Sequence, residues 1–183
     1  MKNSVFYKFF LKFIQNIYDA ENQIVESLPY IIHECTNEEL KNGLTEHLNE
    51  TKEQVNRLNK VFKLLGEAPA RKNSKALEGI LEEGKEFLKE PGLTPAVKDC
   101  FIIITAQQVE HYEIASYGSA IALVEHFKSS FSDKKEFNEI YDLLNETIKE
   151  EGKADKKLTK VAEGKVFTKG VNDEIENELK VKR

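Results

Sequence analysis

Apolar residues recur along this chain at steps of three and four, and the strict alternation of a half-buried strand is almost absent. The pattern predicts four long amphipathic helices and a short one. The first runs from about Ser4 to His33, with Phe6, Phe10, Phe13, Ile14, Ile17, Ile24, Val25, Leu28 and Ile32 on its apolar stripe. Pro29 removes one backbone hydrogen bond there and is expected to kink the last turn. The second helix follows at once. Thr36-Asn37-Glu38-Glu39 has the form of a capping box, Leu40, Leu44, Leu48, Thr51, Val55, Leu58, Phe62 and Leu65 form the stripe, and Gly66 supplies the stop. The third long helix opens at Thr94-Pro95, a cap followed by proline in the first turn, and ends near Phe127. The fourth begins near Ser132 and ends before Gly164, with Phe137, Ile140, Leu144, Ile148, Leu158 and Ala162 inward. Between the second and third lies a looser stretch, Glu67 to Gly92, with a basic pair at Arg71-Lys72 and a short helix around Ala76 to Leu88. Residues 1–164 are therefore read as one helical bundle and residues 165–183 as a charged tail or short helix.

Two short turns and one long connection define the topology. The first pair and the last pair of long helices are antiparallel hairpins, and the segment between them is long enough to run back along the bundle. This is ferritin-like connectivity, an all-α four-helix bundle with one long crossover carrying a short extra helix.

Composition narrows the function more than the fold. The 183 residues carry 27 Lys and Arg against 32 Asp and Glu, a net charge of −5 with the signs interspersed, which argues against nucleic acid as a partner. The Phe-rich start, Met1 to Tyr18, is interrupted by Lys2, Lys8 and Lys12 and reads as an amphipathic helix rather than a signal peptide. Uncharged stretches such as Cys100 to Val109 fall far short of the roughly 20 residues that span a bilayer, so no membrane partner is expected. Two cysteines, Cys35 and Cys100, cannot build a disulfide framework, a zinc finger or an iron–sulfur cluster, and low cysteine use fits a cytoplasmic protein.

The informative residues are the acids that break the apolar stripes. At about 100° per residue, Glu21 falls between Ile17 and Ile24 on the buried face of the first helix. Glu110 and Glu113 lie on or beside the apolar face of the third long helix, and Glu151 and Asp155 fall among Leu144, Ile148 and Leu158 on the fourth. On the second helix His47 and Gln54 point more directly inward than Glu50. A single such acid is usually a snorkelling or paired side chain. Depth changes the argument. Glu21 lies 15 residues before Thr36 and Glu50 lies 14 after it, while Glu110 lies 20 before Ser130 and Glu151 lies 21 after. Equal distances from a hairpin turn mean equal height, so the acids meet in two level pairs at mid-bundle. Such a cluster costs several kcal/mol per charge unless cations compensate it, and two iron or manganese ions are the usual answer inside a helical bundle. If six acids ligate, their charge of −6 exceeds the +4 of two divalent ions and favours the oxidised pair.

The segments Tyr18-Asp-Ala-Glu-Asn-Gln23, His47-Leu-Asn-Glu-Thr-Lys-Glu-Gln54, Ala76-Leu-Glu-Gly-Ile-Leu-Glu-Glu83 and Glu150-Glu-Gly-Lys-Ala-Asp155 resemble the YciF-like stress-protein family of ferritin-like bundles. The run Val109-Glu-His-Tyr-Glu-Ile-Ala-Ser-Tyr-Gly118 carries the resemblance most specifically, which extends over about Leu11 to Ala162. It implies a homodimer, a rubrerythrin-like metal centre and a bacterial stress association. Carried over, it makes Glu21, Glu50, Glu110, Glu113 and Glu151 ligands, with Glu110 and Glu113 as a Glu-x-x-Glu pair. The Glu-x-x-His spacing of the wider ferritin-like pattern is missing after Glu50 and Glu151; His47, Gln54 or Asp155 can replace those histidines.

The expected function is thus a di-metal carboxylate protein that handles dioxygen or peroxide or sequesters iron under stress. The alternative is a non-enzymatic dimeric scaffold with a vestigial site, in which Phe9 and Phe13 extend the stripe of the first helix into a dimer surface.

Overall fold

The computed structural model describes residues 4–130, 135–165 and 168–175. Five helices carry the fold: α1 (Val5–Glu34), α2 (Glu38–Leu65), α3 (Lys75–Phe87), α4 (Pro95–Ser130) and α5 (Lys135–Glu163). A two-residue antiparallel pair, β1 (Gly164–Lys165) with β2 (Thr168–Lys169), follows α5 and was not expected from the sequence. The expected fourth-helix start at Ser132 and the tail beyond residue 175 lie outside the described residues.

Local chemistry sets the helix ends. Ser4 caps α1 by accepting from the Tyr7 N–H at 3.1 Å. α2 ends on Gly66, whose φ of 64° is a left-handed conformation glycine adopts freely. Its start differs from expectation by one residue. Asn37, not Thr36, is the cap, accepting from the Leu40 N–H at 3.0 Å. Thr36 is engaged elsewhere: its hydroxyl donates to Asp99 at the start of α4, and the backbone N–H groups of Thr36 and Asn37 donate to the same carboxylate, each at 2.8 Å. α1 runs unbroken past Pro29, which lies on its exposed face. At the start of α1 the buried stripe follows Tyr7, Phe10, Ile14 and Ile17, and Phe6 lies half outside against His126 and Phe127.

Asp99 also fixes the topology. The first turn of α4 meets the first turn of α2, so the two helices are parallel and the crossover has travelled the length of the bundle. α1 packs against α2 and α4, and α5 against α2 and α4. The crossover is fastened to α1 by Asp19, which accepts from Arg71 Nε at 2.7 Å, the Ser74 N–H at 2.8 Å and Gln23 Nε2 at 2.6 Å. The basic pair in the sequence is therefore half accounted for by an anchor: Arg71 also binds Glu26 at 2.6 Å.

Within the bundle the apolar core is divided. One part, rich in aromatics, joins Tyr7, Phe10, Phe62, Tyr117, Phe127 and Phe137; the other joins Ile24, Leu40, Leu44, Ile102, Leu158 and Val171. Of the segment read as a charged tail or short helix, residues 171–175 are helical, and Val171 is fully buried. The side chains of Glu21, His47, Thr51, Gln54, Glu110, Glu113, Thr147 and Glu151 fill the level between the two parts, and all are buried. Among the described residues no helix is long and apolar enough to cross a membrane.

Candidate metal centre

Each long helix contributes to this polar layer through the three- and four-residue spacing that keeps side chains on one face. α1 gives Glu21, α2 gives His47, Thr51 and Gln54, α4 gives Glu110 and Glu113, and α5 gives Thr147 and Glu151. One ligand atom each from His47, Glu110, Glu113 and Glu151 lies within 4.8 Å of all the others. Glu21 lies in the same buried layer and accepts at Oε1 from the Tyr117 hydroxyl. Gln54 Nε2 donates to Glu151 and, at 3.1 Å, to Glu150. His47 Nε2 stands 3.5 Å from Glu110 Oε1.

Burial dominates the electrostatics. It pushes Glu21 up to about 8, with the charge of Glu151 adding and the Tyr117 hydrogen bond opposing. It raises Glu151 to about 7, where hydrogen bonds from Glu110 and Gln54 hold the carboxylate down against the charges of Glu150 and Glu50. Glu110 rises to about 11, through burial first and then the proton it shares with Glu151. Glu113 is pushed well above the ordinary range by burial and by the surrounding acids. The same burial drives His47 down to about 4, leaving a neutral imidazole with a free lone pair near neutral pH.

Hydrogen bonding in the layer is incomplete. Glu21 Oε2, His47 Nδ1, Gln54 Oε1, Glu110 Oε2, both oxygens of Glu113 and Glu151 Oε2 are buried without a partner. Among the described residues these are all the buried side-chain nitrogens and oxygens in that condition. Most face other acceptors, and acceptors cannot satisfy one another without a proton or a cation between them. Carboxylate oxygens with one neutral imidazole are a hard-to-borderline donor set that suits iron or manganese. Ligands on opposite sides of one ion stand about 4–4.6 Å apart, given metal–ligand bonds of roughly 2.0–2.3 Å. The residues present therefore fit a metal centre in chemistry and in spacing.

Residues 6–173 match the family described as a domain of unknown function, DUF892. The chain belongs to this family. Protein YciF of Escherichia coli K12 is 32% identical over 164 residues, spanning 89% of this chain and 93% of that protein. The crystal structure of that E. coli stress protein superposes with a TM-score of 0.76 at 32% identity, over 85% of this chain and 93% of the other. YcfI of Rhodopseudomonas palustris superposes with a TM-score of 0.80 at 38% identity, over 87% of this chain and 96% of the other, and is described, provisionally, as a structural protein.

The YciF-like bundle brings together Glu21, His47, Gln54, Glu110, Glu113 and Glu151 and leaves two expected ligands outside. Glu50 is exposed on α2: it is rotated about 100° from Thr51, and the inward positions at that level are His47, Thr51 and Gln54. It lines a groove between α2 and α5 that also reaches His47 and Glu110. Asp155 is half-buried one turn beyond Glu151, accepting from Gln107 at 3.2 Å and facing the exposed His111 at 3.5 Å. Sequence reasoning passed over Arg57. It donates to Thr147 at 3.1 Å and to Glu150, and pairs with Glu146 at 3.2 Å, closing one side of the layer with positive charge. Its signal was available: Arg57 stands three residues after Gln54, on the same inward face.

Proposed function

We propose that this member of the family is a ferritin-like di-metal carboxylate protein, holding two iron or manganese ions and reacting with dioxygen or peroxide, or sequestering iron, during stress in the cytoplasm. One observation carries the reading: seven orphaned buried polar atoms in one layer of an otherwise well-satisfied bundle. Glu21, Glu110, Glu113, Glu151 and His47 would hold the metal, and Gln54 and Tyr117 would orient Glu151 and Glu21. Bound iron or manganese would supply electrons to the oxidant. With Glu50 and Asp155 outside, four acids carry −4, which two divalent ions neutralise in full. The sequence-based charge of −6 therefore falls away, and with it the preference for an oxidised pair. Elemental analysis of the purified protein, then anaerobic ferrous titration and exposure to air, tests the reading. About two ions per chain and an oxidation-dependent absorption are expected; no uptake overturns it.

A second reading, a homodimeric scaffold, is favoured by exposed Val5 and Phe9 and by the Phe9–Phe13 ring stack on α1, with centroids 6.4 Å apart. The provisional structural description of YcfI points the same way. Light scattering of Phe9→Lys is expected to show a smaller species than wild type; an unchanged mass removes this face from the interface.

A further inference from the structure

On the side of the layer facing the crossover, the bundle holds a small apolar pocket between α1, α2, α3 and α4. Its wall is mostly apolar, with Leu28, Leu81, Ile102 and Val109 among the residues that form it, and Ser27, Lys85 and Thr105 line it together with buried His47 and Glu110. Its volume is about 40 Å³. A cavity needs about 10–15 Å³ to hold one water, and one of about 150 Å³ takes benzene. The pocket therefore has room for a molecule of two or three atoms and not for an aliphatic chain. A wall this largely apolar offers water few hydrogen bonds, and an ion or a hydrogen-bonded oxidant would shed much of its hydration to enter. α3 closes the pocket at close quarters. A Cβ on Gly84 would stand 2.5 Å from Thr105 Cγ2, so only glycine lets α3 approach α4 this tightly.

A second cavity, about 80 Å³, reaches the same His47 and Glu110 from between α2 and α5, and there Leu40, Leu158 and Val161 share the lining with a charged rim that includes Glu46, Glu50, Lys153 and Lys157. Two spaces that differ in their share of charged groups thus end on one pair of residues, whose His47 Nδ1 and Glu110 Oε2 are both without partners.

We propose that the apolar pocket is a binding site for dioxygen, which reaches the acid layer from the α3 side, while ions and hydrogen-bonded oxidants use the charged groove. The delivery of dioxygen to a metal rests on the function proposed above; the binding of the gas does not.

The test begins with the metal-free full-length protein, by methyl NMR under several atmospheres of dioxygen. Paramagnetic broadening of the Ile102 and Val109 methyls, which line this pocket and not the second cavity, is expected to exceed that of Leu58 and Val61, buried in the other core, by about threefold. Equal broadening in the two sets overturns the proposal whatever the metal content. Ala106 of α4 also lines the pocket. Ala106→Phe is expected to remove the excess; if that variant does not fold, Ala106→Val is expected to reduce it, and an undiminished excess in the folded variant overturns the assignment. In ferrous-loaded protein the same substitution is expected to slow oxidation by dioxygen about fivefold and to leave oxidation by hydrogen peroxide within about twofold. Equal slowing by both oxidants overturns the delivery role. Absence of ferrous uptake with the broadening intact counts against the metal reading and supports the gas site.

Discussion

Asp19 and Glu21 stand two residues apart on α1, both buried, and the protein treats them in opposite ways. Asp19 faces the crossover. Burial alone would raise its pKa, but Arg71, the Ser74 N–H and Gln23 outweigh it and hold the carboxylate below its ordinary value. Glu21 faces the bundle interior, where one hydroxyl donates to it, its second oxygen has no donor, and its pKa climbs to about 8. The roughly 200° between them sends one into a docking seam and the other into the acid layer. Buried carboxylates are therefore not alike in this fold. At the seam donors were supplied with the acid; in the layer they were not, and that shortage distinguishes a site from a fastening.

The largest effect expected from this contrast is at the fastening. Asp19→Ala leaves the buried Ser74 N–H without its acceptor and Arg71 with Glu26 alone, and the loss is expected to be about 3 kcal/mol. It should be the same with and without metal, because nothing at the seam is short of donors. Denaturant unfolding of the two proteins, each with and without manganous ion, measures it. A loss that appears only in the presence of metal would break the distinction between seam and layer.

The layer is expected to respond the other way. Glu110→Ala removes a buried carboxyl that keeps its proton near neutral pH and leaves one oxygen without a partner, so the metal-free variant should stay within about 1 kcal/mol of wild type, the unsatisfied polar group that is removed offsetting the small cavity and the lost contact with Glu151. Metal should then stabilise wild type and not the variant, since a ligand that binds only the folded state adds about 2.7 kcal/mol at a hundredfold excess over its dissociation constant. Thermal melts with metal-to-chain stoichiometry decide the point: equal metal-induced shifts in the two proteins would take Glu110 out of the ligand set.

The sequence made the layer legible for a physical reason. A helix has a fixed angular step, so an acid inside an apolar stripe is visible without coordinates, and Glu21, Glu110 and Glu151 were found in that way. The same step places His47 and Gln54 inside and Glu50 on the exposed face, whereas counting depth from the turn, which ignores rotation, set Glu50 level with Glu21. The bundle and its crossover were legible because turn lengths and caps are local. Asp19 and Asp99 were not, because their partners lie 52 to 63 residues away in stretches without periodicity. The one-residue error at the α2 cap has the same origin: Thr36 would suit the cap, but a distant Asp99 takes it.

The smallest and most diagnostic effect is on pH dependence. An acid with a raised folded-state pKa keeps a proton that the unfolded chain has released. Stability then falls as pH rises through the gap, by about 1.4 kcal/mol per unit for each proton retained. For Glu21 the gap runs from 4.5 to about 8, for Glu151 from 4.5 to about 7, and for Glu110 from 4.5 to about 11. His47 works in the other direction. Its pKa falls from 6.5 to about 4, the unfolded chain holds the extra proton between those values, and its contribution to stability rises with pH there. Below pH 6.5 the histidine offsets one acid; above it nothing does. The melting temperature of the metal-free protein is therefore expected to drop by at least about 5 °C between pH 6.5 and 8, because even one proton retained over that range is worth about 2 kcal/mol at roughly 2–4 °C per kcal/mol for this size. Asp19, whose pKa is lowered, has its stabilisation fully present throughout that range and adds no slope. Divalent metal displaces the retained protons, so its affinity should rise with pH and the slope of the metal-bound form should flatten or reverse. Scanning calorimetry across pH 6.5 to 8, with and without manganous ion, reads both slopes. A flat metal-free profile would mean that the layer's carboxylates titrate as they do in water, and Glu21 would then belong with Asp19 after all.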